Sequence, residues 1–199
     1  EVNKVHANVV YDMDTDTWLS TTDDSPSYPS IEKSLKKLGE ADKLIGHNIL
    51  SFDVPALQKV YPDFKPKGKI IDTLLLSAII WPDIYLNDLS LNEAHGQNKI
   101  PSNLIGSHSL KAWGYRLGEY KGEFGEQTDW STWSVSMQKY CEQDVRLNYK
   151  LWKLIASKEV PEATLDLEHE FARLIRKQEW EGFPFDYEGA RELYKELKQ

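Results

Sequence analysis

Two short segments far apart in the chain hold residue types that do chemistry together. In "HNILSFD" the amide residue Asn48 is followed by Phe52 and Asp53, and in "YCEQD" the phenol of Tyr140 stands one helical turn before Asp144. Converged, they would offer one ligand two carboxylates, an amide and a phenol. Asp144 carries the sharper signal. Tyr140, Leu147, Leu151 and Leu154 form a stripe at three-and-four spacing in "KYCEQDVRLNYKLWKLI", and Asp144 completes it. A carboxylate on the buried face of a helix costs several kcal/mol unless a partner, a proton or a metal compensates it.

Each acid also has a plainer reading. Asp53, two residues ahead of Pro55, makes a good helix N-cap. Asp144 could pair with a cation from a neighbouring helix, or lie at the edge of the stripe on a rotated helix. Asp72, after "KII", reads as a cap and nothing more. The combination favours function: Asn48 closes a strand, Asp53 opens the next helix, and ligands of open α/β sheets gather at the carboxyl ends of strands.

The elements that must position these residues can be read along the chain. "VHANVVYD" and "DTWLST" flank the polar turn "DMDTD" as a hairpin. "PSIEKSLKKLGE" is a helix with Ser30 as cap and Gly39 as stop. The strand "DKLIGHN" leads to the helix "SFDVPALQKVY", and the strand "KGKIIDT" to the helix "TLLLSAII", closed by "WPD". After a loop come the helix "GSHSLKAWGYRLGE", a connection over 118–130, and the helix from about Ser134 to Ile155. A long helix with Pro161 in its first turn and Gly182 after its end follows, then "FPFD" and a final helix. A hairpin followed by alternating strands and helices gives a mixed sheet flanked by helices.

Bulk composition narrows the function. The chain has 199 residues, 40% apolar, with seven Trp, enough for one sizeable core and an appendage. A single cysteine, Cys141, excludes a disulfide framework, argues against a zinc ribbon, and suggests a reducing, intracellular setting in which Cys141 is a small core residue. The longest apolar runs fall far short of the ~20 residues that cross a bilayer, so no membrane partner is expected. A net charge of −8 argues against a broad grip on duplex DNA, although an acidic enzyme can hold a strand end if cations neutralise its site.

With these motifs in order, the chain resembles the proofreading 3′ to 5′ exonuclease domain of family A DNA polymerases, and most closely those of the T-odd phages. The second exonuclease motif appears as "HNILSFD" and the third as "YCEQD"; "GSHSLKAWGYRLGEYKGEF" and "LEHEFARLIRKQEWEGFPFD" extend the likeness over essentially the whole chain. The resemblance implies a ribonuclease-H-like (DnaQ-like) mixed sheet flanked by helices with a C-terminal helical extension. It implies an exonuclease domain over residues 1–158 and a helical linker over 159–199 toward a polymerase domain of the same parent chain.

Its implied activity is two-metal hydrolysis of the 3′-terminal phosphodiester of single-stranded DNA, with two Mg2+ or Mn2+ ions. Asp144 and Asp53 would be metal ligands, Tyr140 would orient the attacking water, and Asn48 and Phe52 would hold the terminal nucleotides. A related subclass has His five positions before the last Asp; Lys139 stands there, so the Tyr subclass fits. Phage origin would place the protein in the cytoplasm of a bacterial host, and a processivity factor bound elsewhere is left open.

One family motif is absent. The Asp-x-Glu of the family's central first strand, which supplies two more ligands, is expected shortly before Glu1, and without it the hairpin and the later strands lose their shared neighbour. "DLE" at Asp166 to Glu168 matches the letters but reads as a solvated helix face. "DMDTD" has the spacing of a calcium loop's first ligands, yet Thr17 stands where that loop needs Gly, so a hairpin turn is expected. An exonuclease-like fold without catalysis, serving as a DNA-binding or scaffolding module, is the alternative.

Overall fold

The computed structural model describes residues 3–94, 99–119 and 129–198. Part of the 118–130 connection, and with it the end of the stretch "GSHSLKAWGYRLGEYKGEF", lies outside the described residues.

Strands β1 (Asn8–Asp12) and β2 (Thr17–Thr21) form the expected antiparallel hairpin, with Tyr11 opposite Trp18. Its turn is closed by Asp12, whose carboxylate accepts from the amides of Asp14 and Thr15 at 3.0 and 3.2 Å, while Asp16 takes a positive φ of 51°. The remaining oxygen of Asp12 pairs with Lys37 at 2.7 Å. "DMDTD" is therefore a hairpin turn.

Helix α1 (Ile31–Glu40) covers the hairpin, burying Ile31 and Ser34. Its cap differs from expectation. Ser30 makes no side-chain cap bond, and the Ile31 amide is instead taken by Asp23 Oδ1 at 3.0 Å, eight residues upstream. Gly39 lies inside the helix rather than ending it.

Strands β3 (Lys43–Gly46) and β4 (Lys69–Asp72) run parallel, with Gly46 opposite Asp72 at their carboxyl ends. Between them lies α2 (Asp53–Val60), and after β4 the chain turns at once into α3 (Thr73–Ile80). The strands do not form one mixed sheet. They make two separate two-stranded sheets, so that among the described residues β1 and β3 each pair along one edge only. The architecture is mixed α/β, with small sheets flanked by helices.

A helix over Ile84–Ala94 (α4) replaces part of the expected loop. Its apolar residues give no stripe: Tyr85 and Leu86 are exposed, and its buried positions are Ile84 and the acid Asp88. Hydrophobic periodicity could not reveal a helix anchored through a carboxylate. Asp88 is held by Arg116, at the end of α5 (Leu110–Arg116), through two bonds of 2.8 and 2.7 Å, and by the Gly106 amide at 2.9 Å.

The longest helix, α6 (Val135–Ala156), starts at Ser134, whose hydroxyl accepts from the Met137 amide. It touches β1, β3, α3 and α5, and thus joins both sheets. Leu151 and Ile155 enter the main core with Ile71, Leu76, Ile84 and Trp113; a second cluster joins Leu44, Ile49 and Val54. Toward the hairpin α6 buries an amide. Gln138, fully inaccessible, donates to Ser20 Oγ at 2.8 Å and accepts from the Trp133 indole at 3.0 Å.

Helix α7 (Glu162–Glu181) lies against α3, with Leu165 packed on the main core, and ends at Gly182 with φ 68°. Helix α8 (Tyr187–Leu197) follows, capped by Asp186. No single helix among the described residues is long and apolar enough to cross a membrane. The α3–α4 pair together has that composition, but the two are bent by 78°.

Candidate active site at the strand ends

The parallel pair brings the ends of β3 and β4 side by side, and the segments that follow them build one surface. Directly after β3 the chain reverses tightly. Asn48 adopts φ 61°, a conformation costly for most side chains but tolerated by Asn, and its carbonyl accepts from the amides of Ser51 (3.1 Å) and Phe52 (2.9 Å). The reversal folds Ile49 back over Gly46 so closely that a Cβ there would meet the Ile49 side chain at 2.7 Å. Only glycine fits at that point in the strand.

Asp72 fastens this loop. Buried to 4% exposure, it caps α3 by accepting from the Leu74 amide at 2.9 Å, as its sequence position suggested. It also accepts from the amides of Asn48 (2.9 Å) and Leu50 (3.2 Å). One carboxylate thus ties the end of β4 to the loop after β3, a role that reading it as a cap alone missed. His47 adds a second tie through Thr73 Oγ1 at 3.0 Å, and Thr73 donates to Asn148 of α6 at 2.7 Å.

The loop delivers Phe52 and Asp53 to the surface. The N-cap position of α2 falls on Phe52 and makes no side-chain cap bond, so Asp53 is the first helical residue rather than its cap. Phe52 is 59% exposed, its ring presented to solvent. Asp53 also reaches solvent, yet protein closes round its carboxyl on most sides. Desolvation, and then the negative charges of Asp72 and Asp144, push its pKa up to about 6, opposed by its own backbone N–H.

From the other side α6 presents Tyr140, Cys141 and Asp144. Asp144 is half-buried, so it lies at the edge of the apolar stripe and not within it. Cys141 is likewise half-buried; burial first, then the charges of Asp144 and Asp53, pushes its thiol up to about 12, an inert state. Tyr140 meets the edge of Trp130 with ring centroids 6.0 Å apart. Residues some ninety positions apart in sequence therefore form one electrostatic group. The fold brings Asp53 within electrostatic reach of Asp144; Asn48 and Phe52 lie on the loop that leads to Asp53, and Tyr140 lies one turn before Asp144 on α6.

Two carboxylates in mutual repulsion are oxygen donors suited to hard cations such as Mg2+. Among the described residues no group of three or more His, Cys, Asp or Glu is arranged to hold a metal ion. Two carboxylates supply at most part of such a ligand set. Asp166, of the "DLE" look-alike, is remote from this role: it is exposed and pairs with Lys69 at 2.6 Å.

Two residues of α7 reach the same surface and were not picked out in the sequence. His169 Nε2 accepts from the Asp72 backbone amide at 2.9 Å, and Arg176 Nη2 donates to the Ser51 carbonyl at 2.7 Å. A signal did exist: Leu165, His169, Ala172 and Arg176 stand at three-and-four spacing, but the stripe is too polar to read as an inner face.

Fold and site together define an α/β protein with one acid just past the end of a parallel strand and a second on the helix that faces it. No protein-family profile matches the chain. The DNA-directed DNA polymerase of Escherichia phage T7 is 33% identical over 98% of this chain, and that of Enterobacteria phage T3 is 34% identical over 99% of it. In each case the match takes in 33% of the relative. The chain is homologous over nearly its whole length to these phage DNA polymerases and spans about a third of their length.

Proposed function

We propose that this chain is the 3′ to 5′ exonuclease part of a DNA polymerase, removing the terminal nucleotide from single-stranded 3′ ends. The observation that carries this reading is the convergence of Asp53 and Asp144 on one surface, flanked by an exposed aromatic ring and a phenol. Homology to phage DNA polymerases supports it.

The chain's own residues divide the work. The exposed face of Phe52 gives a terminal base a stacking surface that tolerates any sequence. Asn48, held in its left-handed turn by the Asp72 carboxylate, directs its side-chain amide toward the last nucleotide. Tyr140 orients the attacking water through its phenol, one turn from Asp144 on the same helix. Asp53 and Asp144 would hold Mg2+ or Mn2+, which supplies a lowered water pKa and stabilisation of the leaving oxygen. Unpaired by cations, the same two carboxylates would repel a phosphodiester. In this reading the exposed apolar residues of α7 and α8, among them Leu167, Phe171, Leu174 and Leu193, face the polymerase part of the same protein.

The test is made in the natural full-length protein. Asp144→Ala should abolish Mg2+-dependent release of nucleotides from a single-stranded 3′ end. Retained release would overturn the reading, and binding of such ends by a wild type with no hydrolysis would favour a non-catalytic DNA-binding module.

A further inference from the structure

Helix α7 meets the candidate site at two points on one of its faces. His169 accepts from the Asp72 amide, and Asp72 in turn holds the amides of Asn48 and Leu50. Seven residues on, Arg176 donates to the Ser51 carbonyl. Seven residues span about 10 Å of helix, so the two contacts bracket the loop that carries Asn48, Phe52 and Asp53.

The carbonyl that Arg176 takes is the last one before the N-cap residue of α2. The ladder of that helix begins with Phe52, whose carbonyl accepts from the Ala56 amide at 2.9 Å, so Ser51 receives nothing from it. Arg176 is half-buried; its Nη1 meets Glu179 at 3.2 Å, and its Nε is buried without a partner among the described residues. Withdrawing part of a guanidinium from water is costly, and no contact within α7 requires it. What the side chain gains is one short, charge-assisted bond to the loop.

We propose that Arg176 is a positioning residue of the site. By holding the Ser51 carbonyl it fixes the direction in which Phe52 and Asp53 leave the loop, and α7 thereby acts as a brace behind the strand ends. The functional half of this inference rests on the exonuclease reading above.

Amide hydrogen exchange tests the brace without reference to activity. In Arg176→Ala the amides of Ser51, Phe52 and Val54, which close the loop, should exchange at least about tenfold faster, while Leu151 in the core of α6 is unchanged. In the natural full-length protein, kcat for trimming single-stranded 3′ ends should fall about 10- to 100-fold with little change in KM, the signature of misplaced groups. Arg176→Lys should restore part of it, and Lys177→Ala, at a neighbouring exposed position, should behave as wild type.

Unchanged exchange in the loop overturns the proposal whatever the activity does. Faster exchange with normal kcat, in a protein that Asp144→Ala inactivates, overturns the positioning role. Should Asp144→Ala retain trimming, the exonuclease reading falls on its own, and the exchange measurement alone then decides whether Arg176 holds the loop.

Discussion

The imidazole of His169 accepts the backbone N–H of Asp72 through Nε2 at 2.9 Å, while its Nδ1 lies 2.7 Å from the carbonyl of Leu165. An amide can only donate and a carbonyl can only accept, so both partners fix the ring as neutral with its proton on Nδ1. His169 is 3% exposed and joins α7 to the junction of β4 and α3.

Replacing His169 with Phe keeps the ring's bulk and removes the acceptor. The Asp72 amide would then be buried without a partner, at a cost of about 1–3 kcal/mol. Urea unfolding should show the midpoint lowered accordingly. Nitrogen-15 NMR of the wild type should show the proton on Nδ1; a proton on Nε2 would contradict the arrangement.

Asp53 makes stability fall as pH rises. Its pKa is raised from 3.8 to about 6 by desolvation, Asp72 and Asp144, so between those values the folded chain holds a proton that the unfolded chain has released. A carboxyl of this kind contributes fully below its unfolded value, and that contribution is lost as pH climbs through the folded one. Denaturation midpoints of Asp53→Asn, compared with wild type between pH 4 and 7, should lack this component. An identical slope in both would show that Asp53 is not the group responsible.

Asp88 and Arg116 behave in the opposite sense. Burial opposes ionisation of Asp88, but the two bonds from Arg116 and one from the Gly106 amide outweigh it and hold the carboxyl below its usual pKa. Arg116→Met would strand a carboxylate beneath α4, costing about 3–5 kcal/mol. Thermal unfolding should report a large loss. An Asp88→Asn, Arg116→Met double variant should recover part of it, because the unpaired charge is gone.

Divalent cations should stabilise the fold through the paired acids. At a free Mg2+ concentration ten times its Kd, binding to the folded chain alone adds about 1.4 kcal/mol. The rise in Tm with Mg2+, reversed by chelator, should be absent from Asp53→Asn and from Asp144→Asn. A rise that survives in both variants would place the ion elsewhere.

Removing the aromatic face isolates substrate contact from chemistry. Phe52→Ala should weaken binding of a short single-stranded oligonucleotide by about 1–3 kcal/mol, read by fluorescence anisotropy, with stability nearly unchanged because the ring is exposed.

Local pattern was enough for much of this molecule. The hairpin around Asp12 and Asp16, the strands through Ile45 and Ile71, and the helices opened by Ser134 and Pro161 each follow from short-range rules of alternation, capping and turn chemistry, although the first of those strands ends at Gly46 and not at Asn48. Asn48, Phe52 and Asp53 after one strand, and Tyr140 and Asp144 on a later helix, were likewise legible as residue types at set points of elements, and the electrostatic link of Asp53 to Asp144 came from the fold. What tertiary structure decided lay where polar groups do the work of apolar ones. Helix α4 is anchored by Asp88, α6 grips the hairpin through Gln138, and α7 turns His169 and Arg176 inward while Leu167, Phe171 and Leu174 face solvent. Hydrophobic periodicity is blind to such faces, because a buried polar side chain is stabilised by a specific partner that only the folded chain supplies. For the same reason Asp144 sits at the rim of its stripe and not inside it. Its sequence position fixed the helix face, and packing against both sheets set how far that face turned toward the water.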